Sequence, residues 1–176
     1  MIEILKKGGV GVMPTDTIYG IIGSALFRKT VERIYKLRER NLKKPMIILI
    51  GSFNHLNLFN IKINDKIKKI LSRKWPGKVS IILPCKNKKF LYLHRGTETL
   101  AFRLPKKQSL IRLLNKTGPL VAPSVNREGL PPAKNIKEAR KYFGNKIDFY
   151  KNGGIISAKP STLIKIENGK IKIIRL

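Results

Sequence analysis

The sequence predicts one α/β domain built on a mixed sheet. Three observations carry that expectation. Short apolar runs alternate with stretches whose apolar residues recur at helical spacing. The last two runs are separated only by Asn168-Gly169, the pair favoured in a two-residue antiparallel hairpin. The 176-residue length suits one domain, and no repeat, low-complexity tract or Pro/Gly/Ser linker divides it, so the expected domain spans 1–176.

The elements follow in order. Residues 10–13 form an apolar run ending at Pro14, a strand that leads into a loop. Over 28–39, Val31, Ile34, Tyr35 and Leu37 fall at helical spacing. The uninterrupted run 46–50 after Pro45 reads as a buried strand. Asn64 is an N-cap for a helix to Ser72 with Ile67, Ile70 and Leu71 inward, and Trp75-Pro76-Gly77 breaks it. Strands follow at 79–83 and 100–104, a helix at 108–116, and a short strand at 120–122. A helix over 136–143 stops at Gly144, and 163–167 pairs with 170–175 as the closing hairpin.

Composition narrows the function. A hydrophobic content of 42% is globular, and no apolar run approaches the ~20 residues that span a bilayer. The N-terminus carries Glu3 and no long apolar core, unlike a signal peptide. One cysteine, Cys85, excludes a disulfide framework and a multi-cysteine zinc site, and reads as a small buried hydrophobe in a reduced, cytoplasmic protein. Lys plus Arg number 38 against 10 Asp plus Glu, a net charge of +28 that attracts polyanions. Compositional bias toward lysine explains the same excess, since 27 of those 38 are Lys. The scattered acids argue against a metal site built on a carboxylate cluster, and no metal-binding residue is expected.

Four segments place polar side chains just beyond apolar strands, where open α/β sheets hold ligands. Pro14-Thr15-Asp16-Thr17-Ile18-Tyr19-Gly20 offers hydroxyls and a tight turn for a small polar substrate, although spacing alone favours an Asp/Thr turn with a helix cap. Arg38-Glu39-Arg40-Asn41-Leu42-Lys43-Lys44-Pro45 could clamp a triphosphate, or merely complement a helix dipole. Ala122-Pro123-Ser124-Val125-Asn126-Arg127-Glu128-Gly129 carries hydroxyl and amide groups that suit phosphates or an adenine edge, or forms an ordinary turn. Lys159-Pro160-Ser161-Thr162 precedes the final hairpin. No Walker loop, G-x-G-x-x-G or G-x-S-x-G occurs, and His55 and His94 lack metal-ligand spacing.

In order, these segments together with Trp75-Pro76-Gly77 and Leu100-Ala101-Phe102-Arg103 resemble the YrdC-like family of threonylcarbamoyl-AMP synthases, from about residue 8 to the C-terminus. The resemblance implies an open, twisted, mixed parallel/antiparallel sheet flanked by helices around a large basic cavity, in the short single-domain form. It implies condensation of L-threonine, bicarbonate and ATP to threonylcarbamoyl-AMP and pyrophosphate, a nucleotidyltransferase reaction. The product would feed N6-threonylcarbamoylation of tRNA adenosine 37 through downstream threonylcarbamoyl-transferase proteins.

By the same resemblance Thr17, Arg103 and Ser161 hold threonine, with backbone at Leu49 and Ala122 lining its pocket. Arg40, Lys44, Thr99, Ser124, Asn126, Pro132 and Arg175 meet ATP, and Arg38, Arg40 and Lys44 supply the catalytic positive charge. Mg²⁺ would be held mainly through ATP phosphates. The chain departs from the family pattern at Arg38, usually Lys; at Val125, usually Ala; and at Glu128, usually Ser. A carboxylate at 128 would repel a triphosphate unless it points away or meets Mg²⁺ or a lysine. The alternative reading is a non-catalytic RNA-binding protein using the same basic concave surface. A carbamoyl-transfer domain like that of hydrogenase-maturation proteins is a third, which would need a much longer chain.

Overall fold

The computed structural model describes residues 1–167 and 170–176, so the expected Asn168-Gly169 turn lies outside the described residues. The chain runs α1 (Ile2–Lys6), β1 (Val10–Pro14), β2 (Tyr19–Ser24), α2 (Arg28–Arg38), β3 (Ile47–Leu49), α3 (Asp65–Lys74) and β4 (Val79–Pro84). It continues α4 (Leu91–His94), β5 (Thr99–Arg103), α5 (Gln108–Thr117), β6 (Leu120–Val121), α6 (Ile136–Phe143), β7 (Phe149–Tyr150), β8 (Thr162–Glu167) and β9 (Lys170–Arg175). One nine-stranded sheet has the order β7-β1-β2-β6-β3-β5-β4-β8-β9. The pairs β1/β7, β3/β5 and β4/β8 are parallel and the other five antiparallel, which makes the expected mixed sheet.

Alternation along the strands sends side chains to two apolar layers. In β1 and β2, Val10, Val12 and Ile21 join a layer with Val31 and Ile34 of α2. Met13 and Ile22 join Leu5 of α1 and Leu110, Leu113 and Leu114 of α5 in the other. Helices therefore cover both faces. Asn64 caps α3 as expected, its Oδ1 accepting from the Ile67 amide at 2.9 Å. Cys85 is buried in the larger layer.

The loop expected after Pro14 is present, and it caps no helix. It is a turn between paired antiparallel strands, with Pro14 opposite Tyr19 and Val10 opposite Gly23. Strand β2, buried along its whole length, was not expected, because Gly20 and Gly23 interrupt its apolar run. Gly23 has a packing reason. A Cβ there would sit 2.5 Å from the Thr30 methyl and 3.1 Å from Ile34 Cδ1, so its absence lets α2 lie close on the sheet. The short α1, α4 and β7 also lack a periodic signal long enough to read.

Candidate active site

One cleft of about 180 Å³ gathers residues from segments far apart in the chain. The β1–β2 turn contributes Thr15, Thr17 and Gly20, and the end of α2 with the following loop contributes Arg38, Arg40 and Pro45. Ala101 and Arg103 come from β5, Ala122 and Ser124 from the segment after β6, and Pro160, Ser161 and Arg175 from the β8–β9 side. Sheet order explains the meeting: β2, β6, β3 and β5 are spatial neighbours although they are not consecutive.

The turn is self-locked. Thr15 Oγ1 donates to the Ile18 carbonyl at 2.7 Å and accepts from the Thr17 amide at 3.2 Å, and the two threonine hydroxyls lie 3.1 Å apart. Asp16, between them, forms an ion pair with Arg103 at 3.0 Å, and each side chain is 5% exposed. Neither Asp16 oxygen and not the Arg103 Nε makes an aligned hydrogen bond. Ser161 Oγ shares a 2.8 Å hydrogen bond with buried Ser80 of β4, and Arg175 donates to the Ser161 carbonyl at 2.8 Å. Tyr19 donates through its hydroxyl to the Gly154 carbonyl and accepts from the Gly153 amide, both at 2.8 Å, tying the segment before β8 to β2.

Arg38 is 2% exposed. Its guanidinium donates to the Asn126 carbonyl at 3.0 Å, to Asn126 Oδ1 at 3.0 Å and to Ser124 Oγ at 3.3 Å. Burial, reinforced by neighbouring Arg40 and opposed by Glu128, lowers its pKa to about 10. Asn126 Oδ1 also accepts from Ser124, and its amide donates to the Arg127 and Leu130 carbonyls, so its side chain is spent within the loop. Arg40 donates to the Lys44 and Pro45 carbonyls at 3.0 and 3.1 Å, fixing the loop it leaves. Lys44 reaches Glu128 at 2.6 Å, so the extra carboxylate does meet a lysine. Contact with that lysine, then with the Asn41 amide, holds the Glu128 carboxyl below its usual range.

The structure thus brings Thr17, Arg38, Arg40, Arg103, Ala122, Ser124, Ser161 and Arg175 together. Lys44 and Asn126 adjoin the cleft through Arg40 and Arg38 without being part of its lining. Leu49 packs with Leu110 and Leu114 in the smaller apolar layer. Thr99 lies four residues from Arg103 at the other end of β5, its hydroxyl on Thr97, and Pro132 is exposed in the loop before α6. Asp16, Tyr19 and Ser80 carry structural contacts to the site that sequence reasoning did not assign; Asp16 and Tyr19 stood within a recognised segment, whereas Ser80 had no signal.

The donor set suits anions. Among the described residues no group of three or more His, Cys, Asp or Glu converges into a metal shell, and the two nearby carboxylates are engaged by Arg103 and Lys44. These residues do not fit a protein-held Mg²⁺ site. No helix among the described residues is long and apolar enough to cross a membrane.

A cleft lined by four arginines and several hydroxyls, on an open mixed α/β sheet, has the donor chemistry of the class of proteins whose sites suit small anionic molecules. The chain belongs to the Sua5/YciO/YrdC family: the family model Sua5_yciO_yrdC, described as Telomere recombination, matches residues 3–176. A threonylcarbamoyl-AMP synthase of Marinobacter nauticus is 32% identical over 171 residues, 96% of this chain and 90% of the relative. That of Pyrococcus abyssi is 29% identical over 151 residues, 85% of this chain but 44% of the relative, so the chain spans less than half of that protein's length. The P. abyssi Sua5 structure in complex with L-threonine superposes with a TM-score of 0.89 at 27% identity, covering 99% of this chain and 52% of that one.

Proposed function

We propose that this chain is an L-threonylcarbamoyladenylate synthase, a nucleotidyltransferase that condenses L-threonine, bicarbonate and ATP with release of pyrophosphate. The observation that carries the reading is the convergence of Thr17, Arg103 and Ser161 with Arg38, Arg40, Ser124 and Arg175 in one cleft. Arg103 and Ser161 would take the threonine carboxylate and Thr17 its other polar groups. Arg40, Arg175, Ser124 and the neighbouring Lys44 would take the nucleotide. Residues 1–176 act as one unit in this reading, in the cytoplasm.

The chemistry needs no covalent nucleophile. The threonine amine attacks CO₂ derived from bicarbonate, forming the C–N bond of a carbamate and losing a proton. A carbamate oxygen then attacks the α-phosphate, and the bond to the β-phosphate oxygen breaks to release pyrophosphate. The residues contribute positioning and neutralisation of charge on the phosphates. Arg40 offers a guanidinium whose loop is already fixed, and buried Arg38 holds Ser124 in place from behind. The labile adenylate would pass to downstream threonylcarbamoyl-transferase proteins that modify tRNA.

The deciding experiment is pyrophosphate release from ATP with Mg²⁺ and bicarbonate, with and without L-threonine and with serine as control. Threonine-dependent release is expected. No release from folded protein that binds RNA with a steep salt dependence would favour the second reading, a non-catalytic RNA-binding protein, which the +28 charge motivates.

A further inference from the structure

The four arginines of the cleft form a row of mutually repelling charges. Arg175 bears on Arg103, and Arg40 bears on both Arg175 and Arg38. Each end of the row carries one carboxylate, and the two differ. Glu128, at the Arg38/Arg40 end, is paired with a lysine whose side chain is 60% exposed. A polyanion can displace such a contact at little cost, because exposed ion pairs are weak. Asp16, at the Arg103 end, is buried with its partner and held in the self-locked β1–β2 turn. A buried carboxylate of this kind is a permanent part of the site, since separating it from Arg103 would strand a charge in the interior.

The substrates of the proposed reaction are both anions, but of different valence. Threonine presents a single carboxylate, whereas ATP and pyrophosphate present several charges. A cleft with four guanidiniums and no internal compensation would accept phosphate at either end. At the Arg103 end, Arg103 and Arg175 stand against one carboxylate, leaving a single net positive charge. Arg103 lines the cleft and meets Asp16 through one terminal nitrogen, so the five-donor guanidinium keeps donors for a second carboxylate.

We propose that Asp16 is a specificity-determining positioning residue: by pairing with Arg103 it limits the amino-acid end of the cleft to one net positive charge, admitting a monocarboxylate and keeping phosphate out. The inference rests on the reading of the cleft as a threonine and ATP site. It does not require Asp16 to touch either substrate.

The test is calorimetric binding of L-threonine without ATP, at constant ionic strength, with and without inorganic phosphate. In the wild-type chain, phosphate is expected to leave threonine affinity unchanged while it competes with ATP. In Asp16→Asn, phosphate should become competitive with threonine, weakening its apparent affinity about tenfold. Asp16→Glu keeps the charge and should keep phosphate excluded even where threonine binds less tightly. Competition between phosphate and threonine in the wild-type chain overturns the inference, and so does an Asp16→Asn variant that excludes phosphate as well as wild type. Competition in the wild-type chain overturns the inference even if Asp16→Asn fails to fold, and Asp16→Ser then serves as the neutral variant, expected to admit phosphate. A wild-type chain that binds no threonine at all overturns the functional reading, and the inference with it.

Discussion

Glu128 and Lys44, 84 residues apart, meet at 2.6 Å, and the other Glu128 oxygen accepts from the Asn41 amide at 2.5 Å. This carboxylate occupies the position of an anion between an ammonium and a backbone N–H. In the proposed enzyme an incoming triphosphate competes with it for Lys44. Glu128→Ser should therefore tighten ATP binding about two- to fivefold, in the range of an exposed ion pair. Calorimetry at low and high salt checks this; the gain should shrink as salt screens the charges.

Arg38 acts through geometry that lysine cannot copy. One guanidinium engages the Asn126 carbonyl, Asn126 Oδ1 and Ser124 Oγ, whereas an ammonium is a single point of charge. Arg38→Lys should destabilise the fold by about 1–2 kcal/mol, since buried acceptors lose partners. It should also lower kcat/KM for ATP, because Ser124 loses its anchor. Urea unfolding and steady-state kinetics report the two effects separately.

The Tyr19 hydroxyl is the clasp on the segment before β8. Tyr19→Phe removes both of its hydrogen bonds to Gly153 and Gly154 and should cost about 1 kcal/mol. Limited proteolysis should cleave within residues 151–160 faster than in wild type, while the ring stays packed. An unchanged cleavage rate would show that the clasp contributes nothing to that segment.

Arg33 of α2 grips Asp148 with two hydrogen bonds, at 2.7 and 2.9 Å, and the Val10 amide adds a third at 2.7 Å. The Arg33 contact, with the amide assisting against partial burial, holds the Asp148 carboxyl below its usual range. In acid the unfolded chain binds this proton first, so the contribution is complete above about pH 4 and lost as pH falls through the lower folded value. Both side chains are more than a third exposed, so screening limits the contribution to about 1 kcal/mol. Asp148→Asn should lower stability at pH 7 by that amount and flatten its decline in acid, as measured by urea unfolding across pH.

Much of the fold was readable because its signals are local. Val31, Ile34 and Tyr35 repeat at the helical period, Asn64 caps the next helix, and the run after Pro45 is apolar throughout. Where packing rather than period selects the residues, reading failed. Strand β2 carries Gly23 because α2 lies close above it, and Gly20 where Thr15 and the segment at 122–123 approach, and those glycines hide the strand. The segments quoted for the site do converge, since each follows a strand or helix end that sheet order brings to one cleft.

By itself, then, the sequence determined the α/β class, most element positions, the excess of cations and the family, each through short-range pattern or motif order. The tertiary structure decided what individual side chains do within that frame. It buried Arg38 as a brace for the Ser124–Asn126 loop, set Glu128 on Lys44, and paired Asp16 with Arg103 behind the cleft. The physical reason is that a side chain's partner, and hence its charge state and availability to a ligand, depends on which distant strands lie side by side. Spacing along one chain does not carry that information.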